Sequence, residues 1–215
     1  VIAETEAVNK FYPDSDVIIE LGGEDAKITF LRPILEQRMN GTCAGGTGSF
    51  IDQMASLLKT DTQGLDKLAA QAKSQYTIAS RCGVFAKSDL QPLLNEGAAR
   101  EDLAASIFQA VVNQTIAGLA CGRKIKGNIV FLGGPLYFLA QLRRAFENSL
   151  GESATSFTLP ENAQLFVALG AALLAQGEPV DLTALLERLV GSNYVSSELL
   201  SLGPIFADEN ETKEF

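Results

Sequence analysis

Two short runs of this chain share one pattern, and that pattern constrains the fold more than any other feature of the sequence. Each run is rich in β-branched residues and closes on two glycines: DVIIELGG spans residues 16–23 and GNIVFLGG spans residues 127–134. A β-branched run bounded by glycines is typical of a buried strand, and glycine lets the backbone turn tightly or approach a ligand. We therefore predict two strands that each end in a glycine turn.

The remaining periodicity predicts an α/β protein. The run AKITFL at residues 26–31 is close enough to the first strand to pair with it as a hairpin. Further strands are expected around residues 37–40 and near residues 156–159. Apolar residues that recur every three or four positions predict helices, at residues 1–11, 48–58, 65–73, 84–95, 101–121, 136–150, 162–176 and 182–190. Strands and helices in this order form a layered architecture, with helices packed on a sheet.

Composition excludes several classes of function. The 215 residues include 17 basic and 26 acidic side chains, a net charge of −9, which argues against nucleic acid or an anionic membrane as a partner. The absence of histidine removes Ser-His-Asp and Cys-His nucleophiles and every His-ligated metal site. No apolar run reaches the ~20 residues that span a bilayer. Three cysteines, an odd number, do not form a disulfide framework, so a reducing cytoplasm is the expected location.

The first glycine turn, LGGEDAK at residues 21–27, is a candidate phosphate site. Gly22 and Gly23 carry no Cβ, so their backbone N–H groups can approach a bound phosphate. Glu24 and Asp25 stand next to them, where carboxylates suit Mg²⁺. On this segment alone, the simpler interpretation, a hairpin turn with solvated acids, is favoured.

The second glycine pair, Gly133 and Gly134 in FLGGPL, lies between a strand and a helix, where an adenine or ribose can rest on bare backbone. Taken alone, it is a common loop pattern. Neither glycine turn matches the phosphate loop G-x-x-x-x-G-K followed by Ser or Thr, or the dinucleotide fingerprint G-x-G-x-x-G. Both of those nucleotide-binding motifs are therefore excluded.

Two cysteines lie in matching settings. Cys43, in GTCAGGTGSF, and Cys82, in ASRCGVFAKSD, each precede a predicted helix, whose positive end favours a thiolate suited to metal or redox chemistry. A small buried cysteine in a glycine-rich turn is the alternative. A [4Fe-4S] cluster takes four thiolates, and two chains related by a two-fold axis supply four if each contributes both cysteines. Cys121 has no such setting and is predicted to lie in the core.

The segments LGGEDAK, GTCAGGTGSF, RCGVFAKSD, FLGGPL and QLFVALGAALLA occur in this order. Together they resemble the ATPase family that includes benzoyl-CoA reductase ATPase subunits and 2-hydroxyacyl-CoA dehydratase activators, the BadF/BadG/BcrA/BcrD ATPase family. The resemblance runs through most of residues 1–177. It implies the actin-like ATPase fold shared with sugar kinases, in which two ribonuclease-H-like lobes enclose ATP. This chain is then one α/β lobe, a mixed sheet flanked by helices.

The resemblance also implies a function and its residues. Activators of this family use ATP with Mg²⁺, and one [4Fe-4S] cluster bridges a homodimer through two cysteines per subunit, which match Cys43 and Cys82. ATP hydrolysis drives a low-potential electron into an acyl-CoA dehydratase or reductase component, and the segment at 164–175 matches the hinge between lobes. The matching nucleotide residues are Gly22, Gly23 and Lys27 for phosphate, Glu24 and Asp25 as catalytic acids, and Gly133 and Gly134 for adenosine.

This sequence differs from the family pattern in two ways, which limit the roles that the resemblance implies for its residues. The family usually has aspartate where Glu20 stands, so the metal role of that aspartate is not carried over. The glycine-rich phosphate loop of the first lobe, expected upstream of Val1, is absent from the sequence. The chain is therefore expected to be a fragment of a large multi-module member, with weak or undetectable nucleotide binding and little or no ATP hydrolysis. The expected division is a remnant helix of the first lobe (1–16), the second lobe with the cluster motifs (17–178), and a C-terminal helix with a linker tail (179–215).

Two other functions stay open at this point. A small-molecule kinase of the same superfamily shares the glycine pairs but needs neither Cys43 nor Cys82, and no carboxylate stands out as a base for a substrate hydroxyl. A non-catalytic scaffold or dimerisation module of a larger chain is the other alternative. The activator interpretation requires a homodimer or two tandem modules, and it implies an anaerobic cytoplasm because a cluster at a subunit seam is sensitive to oxygen.

Overall fold

A five-stranded mixed sheet is the centre of the fold. The computed structural model describes residues 2–41, 45–79, 83–177 and 180–191. The strands are β1 (Val17–Leu21), β2 (Ala26–Phe30), β3 (Glu36–Met39), β4 (Gly127–Leu132) and β5 (Ala154–Thr158). Their order across the sheet is β3-β2-β1-β4-β5. The β1–β2 and β2–β3 pairs are antiparallel, whereas β1–β4 and β4–β5 are parallel.

Helices cover both faces of this sheet. In chain order the helices of this unit are α1 (Ile2–Phe11), α2 (Gly48–Leu57), α3 (Thr62–Ala69), α4 (Gly83–Asn95), α5 (Arg100–Thr115), α6 (Gly134–Phe138), α7 (Ala140–Leu150) and α8 (Phe166–Leu174). A further helix, α9 (Leu182–Gly191), belongs to a separate compact unit of the chain. A π-helical turn, Ile116–Ala120, extends α5, and a 3₁₀ turn, Ala163–Leu165, precedes α8. The predicted α/β architecture, a mixed sheet with flanking helices, is confirmed.

The central strand β1 explains why the sheet is buried on both sides. All five of its residues, VIIEL, are buried, as is typical of a strand that has neighbours on both edges and helices on both faces. Ile19 pairs with Ile28 of β2 on one side and with Phe131 of β4 on the other. The hairpin predicted from the short gap between the first two apolar runs is therefore confirmed.

The two faces of the sheet carry cores of different size. The larger core lies on the face covered by α2, α3, α5 and α7, and it includes Ile19, Met54, Phe108 and Phe146. The smaller core includes Val8 of α1, Ile18 of β1 and Phe166 of α8. Alternate side chains of β1 point to opposite faces, so one strand contributes to both cores.

Helix α1 packs against α8 at very short range. A Cβ built on Gly170 of α8 would lie closer than 3.0 Å to the carbonyl group of Ala3, a separation that real Cβ atoms essentially never show. The absence of a side chain at position 170 is therefore what allows the two helix backbones to touch. This contact holds α1 over the smaller core.

Several predicted helix boundaries differ from the structure. The helix predicted at residues 65–73 spans Thr62–Ala69, because Asp61 caps it by accepting a hydrogen bond from the backbone N–H of Gly64 at 2.6 Å. The helix predicted at residues 136–150 is split into α6 and α7 at Leu139, which has extended backbone angles.

Cys121 corrects a second expectation. It was predicted to be a core residue, but it is exposed and has a φ of 46°. The π-helical turn ends at this residue, which has a left-handed backbone and is followed by the exposed Gly122. The same turn shortens the helix predicted at residues 101–121, whose regular part ends at Thr115.

The segment Arg100–Ala120 is the one described helix that is long and apolar enough to cross a membrane by length and composition alone. Within the folded chain, 61% of its most apolar window is buried. That burial is typical of a core helix, and α5 contributes Leu103, Ile107 and Val111 to the larger core.

The chain divides into two compact units, Val1–Ala175 and Gln176–Phe215. The sheet and helices α1 to α8 belong to the first unit. In the second unit, α9 carries apolar residues at a helical spacing of three and four, including Leu182, Leu185 and Leu189, and these side chains are exposed. The domain boundaries expected after residues 16 and 178 stay predictions.

Candidate nucleotide site

The two glycine turns lie side by side at one edge of the sheet. Strands β1 and β4 are parallel neighbours, and Glu20 pairs with Leu132, so Gly22–Gly23 and Gly133–Gly134 both follow the carboxyl ends of adjacent strands. Ligands of open α/β sheets bind outside this edge. The pairing therefore brings the predicted phosphate and adenosine motifs to one place.

The first glycine turn is closed by its own backbone and by a distant asparagine. The N–H of Gly22 donates to the carbonyl oxygen of Asp25 at 2.7 Å. The Asn40 side chain accepts from the Ala26 N–H at 2.8 Å and donates to the Glu24 carbonyl at 3.1 Å. Sequence reasoning missed Asn40, because its role depends on β3 returning beside β2.

Helix α2 begins on the carbonyl groups of the first glycine pair. The N–H of Gly48 donates to Gly22 at 2.9 Å, and the N–H of Ser49 donates to Gly23 at 2.7 Å. A Cβ at position 48 would lie 3.3 Å from the backbone of both glycines, a tight contact that favours glycine there. The hairpin and the positive end of α2 are thus joined backbone to backbone.

The outer side of these turns is open. A Cβ built on Gly23 or Gly134 meets nothing within 4 Å. A cavity of about 180 Å³ lies beside Gly134, and its lining includes Gly48 and Ile51 of α2 and Phe138 of α6. It is smaller than the ~300–1,000 Å³ typical of a complete small-molecule site, so its size matches only part of a nucleotide.

The two acids of the first turn are exposed. Glu24 and Asp25 extend from the hairpin into solvent, where they can reach a ligand or the water around a bound cation. Their catalytic role stays a prediction.

Lys27, predicted to contact phosphate, is held by another side chain in this structure. Its Nζ lies 2.7 Å from Oε2 of Glu20, its cross-strand partner. Both side chains are largely buried, with 16% and 11% of their area exposed. Burial disfavours the charged form of Lys27, but the hydrogen bond and the negative charge of Glu20 outweigh it, so the pKa of Lys27 is raised.

A further acid lies behind this pair and was missed by sequence reasoning. Glu4 of α1 is 0% exposed, and neither of its carboxyl oxygens has a hydrogen-bond partner in the described part of the chain. Burial, followed by the nearby charge of Glu20, raises its pKa from 4.5 to about 8. A signal was available, because Glu4 stands three and four positions before Ala7 and Val8 and so shares their apolar helix face.

The structure does not describe either predicted cluster ligand: Cys43 and Cys82 lie outside the described residues. Within the described ranges, no three Cys, Asp or Glu side chains form a group that could hold a metal ion. The flanking helices are described, and they meet. A Cβ on Gly83, the first residue of α4, would lie 3.6 Å from Gln53 and 3.7 Å from Phe50, both in α2.

Two larger cavities lie away from the glycine turns. One, of about 600 Å³, is formed by the segment at residues 69–75, where α3 ends, together with α5 and α7. The other, of about 610 Å³, lies at the opposite end of the sheet, next to Asp16 and Gly127. Neither is lined by a residue of the predicted nucleotide motifs, so cavity size alone does not identify the candidate site.

Comparison with known proteins gives close relatives among activators of CoA-ester dehydratases. The chain is 34% identical over 174 residues to the 2-hydroxyisocaproyl-CoA dehydratase activator of Clostridioides difficile, covering 80% of this chain and 64% of that protein. It is 35% identical over 169 residues to the (R)-2-hydroxyglutaryl-CoA dehydratase activating ATPase of Acidaminococcus fermentans, covering 76% and 62%. The chain thus spans less than two thirds of the length of these curated relatives.

Solved structures agree with these sequence matches. Component A of the Acidaminococcus fermentans (R)-2-hydroxyglutaryl-CoA dehydratase superposes with a TM-score of 0.73 at 32% identity, covering 80% of this chain and 66% of that one. The Clostridium difficile activator with bound ADPNP gives a TM-score of 0.72 at 30% identity, covering 91% and 70%. A xylulose kinase from Rhodospirillum rubrum, at 18% identity and a TM-score of 0.50, shares the fold alone.

These neighbours confirm the predicted actin-like fold. The family resemblance recognised from the sequence motifs is confirmed as well, because the model of one family matches residues 1–175, which include the sheet, both glycine turns and the two helices that meet beside them. The chain belongs to the BadF/BadG/BcrA/BcrD ATPase family.

Proposed function

We propose that this chain is the nucleotide-binding lobe of an ATP-dependent activator that passes a low-potential electron to a 2-hydroxyacyl-CoA dehydratase. In this proposal a [4Fe-4S] cluster is shared between two subunits or two tandem modules. The observation that carries it is the meeting of Gly22–Gly23, Gly133–Gly134 and the first turn of α2 at one sheet edge. The relatives that match this chain at 34–35% identity are named as activators and activating ATPases of such dehydratases.

The open side of the glycine turns supports nucleotide binding. Gly23 and Gly134 leave room for a ligand against the backbone, and the first turn of α2 adds a positive helix end that favours phosphate. Glu24 and Asp25 are exposed and would hold water around Mg²⁺. ATP, when bound, supplies the phosphoryl group whose hydrolysis drives the cycle. These residues bind and orient it.

The contacts of α2 provide a route from the hairpin to the cysteine segments. The Gly22 and Gly23 carbonyls accept from the first N–H groups of α2, so a shift of the hairpin moves that helix end. The first residue of α4 lies against the same turn of α2. Cys43 stands five positions before Gly48, and Cys82 immediately precedes Gly83. This supports the hypothesis that both cysteines approach one cluster and that nucleotide state reaches it through these helices.

A nuclear magnetic resonance titration tests the nucleotide part, because it detects the weak binding expected of this chain. Adding Mg·ATP should shift the backbone amide signals of Gly23 and Gly134 first. Gly23→Val should abolish the shifts, since its new side chain meets open space in the fold but occupies the ligand's position. Asn148→Val, on the exposed surface of α7, is the control and should leave them unchanged. Shifts confined to other parts of the chain would contradict the proposal.

Anaerobic reconstitution with iron and sulfide tests the cluster part. We expect a broad visible absorption band and a doubled mass in solution for the unaltered chain. Cys43→Ser and Cys82→Ser should each lose both. Cys121→Ser is a matched control, because the third cysteine is exposed and stands outside the two motifs. Featureless spectra in every variant would favour a kinase or scaffold over the activator.

A further inference from the structure

Glu4 occupies a buried site in which an ionised carboxylate is strongly disfavoured. Its side chain is fully buried, and both oxygens lack a hydrogen-bond partner among the described residues. The helix that carries it cannot easily rotate, because the Ala3 carbonyl touches the backbone of Gly170 in α8. A buried carboxyl group without a partner is strongly disfavoured when ionised and much less so when neutral.

The charged groups around Glu4 also favour its neutral, protonated form. Glu20 comes from β1 and Lys27 from β2, and these two already form an ion pair at 2.7 Å. Helix α8, FVALGAALL, contributes no titratable side chain. With a neutral Glu4 the three side chains carry no net charge, whereas an ionised Glu4 adds an unpaired negative charge beside Glu20. Burial and this repulsion raise the pKa of Glu4 to about 8.

The Glu20–Lys27 ion pair lies close to the turn of the hairpin. Glu20 and Lys27 form the second cross-strand pair from the turn, after Leu21 and Ala26. Whatever weakens their contact acts directly on the strand ends from which Gly22 extends.

We propose that Glu4 is a positioning residue for the glycine hairpin: as a neutral acid it leaves Glu20 to pair with Lys27 and so fixes the strand ends beside Gly22 and Gly23. When Glu4 releases its proton to solvent base, the two carboxylates compete for one lysine and the hairpin loosens. The proposal rests on the proposed function, because it assigns the hairpin to phosphate. No nucleotide is needed to test it.

The test is a pH titration of the chain labelled with ¹³C at glutamate carboxyl groups. The Glu4 carboxyl signal should titrate with a midpoint near pH 8, and the amide signals of Gly22 and Gly23 should move with the same midpoint. Glu4→Gln should remove the step from both glycines. Glu6→Gln is the matched control, since Glu6 lies on the exposed face of the same helix and should leave the step unchanged.

Two results would overturn the proposal. One is a Glu4 carboxyl that titrates near its ordinary value of 4.5, which the unaltered chain alone decides even if Glu4→Gln does not fold. The other is a hairpin step that persists in Glu4→Gln. Mg·ATP shifts confined to parts of the chain other than the glycine turns, together with the expected Glu4 titration, would refute the proposed function and leave the positioning role standing.

Discussion

Gly133 lies directly against the backbone of Leu21, and this contact joins the two glycine turns. A Cβ at position 133 would come within 3.0 Å of the Leu21 carbonyl group, and the residue has a φ of 89°. Two independent reasons, space and backbone angle, therefore require glycine here. The adjacent Gly134 has neither constraint and faces open space, so the fold requires glycine only at position 133.

Gly133→Ala should destabilise the lobe. The added methyl group collides with a strand backbone that cannot move aside, and alanine is strained at positive φ, so we expect a loss of about 2 kcal/mol or more in the free energy of unfolding. Urea denaturation measures it. Gly134→Ala is the control, with an expected change below about 1 kcal/mol. Equal losses in the two variants would show that the contact with Leu21 is unimportant.

Gly170→Ala should loosen α1 from the sheet. The new methyl group overlaps the Ala3 carbonyl, and overpacking of this kind typically destabilises by about 1–3 kcal/mol. Hydrogen exchange should show faster exchange in α1, while β1 and β4 keep their protection. Uniformly faster exchange throughout the lobe would contradict a local effect.

Glu4 should lower the free energy of unfolding as the pH rises, which is the opposite of the usual effect of a carboxyl group. Its pKa is about 8 when folded and 4.5 as an ordinary glutamate. The folded state therefore binds the proton more tightly, and the stabilisation it gives is complete at low pH and lost as the pH rises from 4.5 to 8. Each unit of pKa difference corresponds to ~1.4 kcal/mol. In Glu4→Gln this fall in stability should disappear.

The pH profile of the unfolding free energy, measured with urea between pH 5 and pH 9, checks this. The control is Glu6→Gln, which should retain the wild-type slope. A slope that is identical in the wild type and in Glu4→Gln would assign the pH dependence to other groups.

Asp102 should have the opposite effect. Its carboxylate accepts the backbone N–H groups of Ser74 at 3.0 Å and Lys73 at 2.7 Å, and the Ser74 hydroxyl at 2.8 Å. These hydrogen bonds lower its pKa below the ordinary 3.8. A lowered pKa stabilises the folded state above the unfolded value, and that stabilisation is lost as the pH falls through the folded pKa.

Asp102→Asn should therefore be less stable than the wild type at pH 7, and the difference should shrink in strong acid. Thermal unfolding followed by circular dichroism at both conditions measures it. Glu101→Gln, one residue earlier and without these contacts, is the control. A deficit that stays constant down to low pH would mean that packing, and not the ionised carboxylate, is responsible.

The sequence allowed much of the sheet to be predicted, because the information was local. The apolar runs around Ile19 and Phe131 bury both faces and end at glycines, and the three-strand start follows from short gaps between runs. The contact between the backbones of Ala3 and Gly170 was not predicted, because the local sequence does not indicate which face of a helix will lie against another backbone. The break at Leu139 was missed for the same reason.

The candidate site divides in the same way. The residue types at Gly22, Gly23, Gly133 and Gly134 were recognisable from the sequence, because glycine at a strand end has a specific backbone use. The contact that Lys27 makes could not be recognised from the sequence. A lysine next to a phosphate motif gives the same sequence pattern whether its ammonium group faces a ligand or a buried glutamate.

By itself, then, the sequence determined the strands, the glycine turns and the family, because each depends on residue type and on spacing within a short segment. The tertiary structure alone decided that Lys27 pairs with Glu20, that Glu4 is buried behind them and that Cys121 is exposed. Those properties depend on burial and on charges brought together from distant segments. The free energy of a buried charge depends on its neighbours, and only the folded chain specifies them.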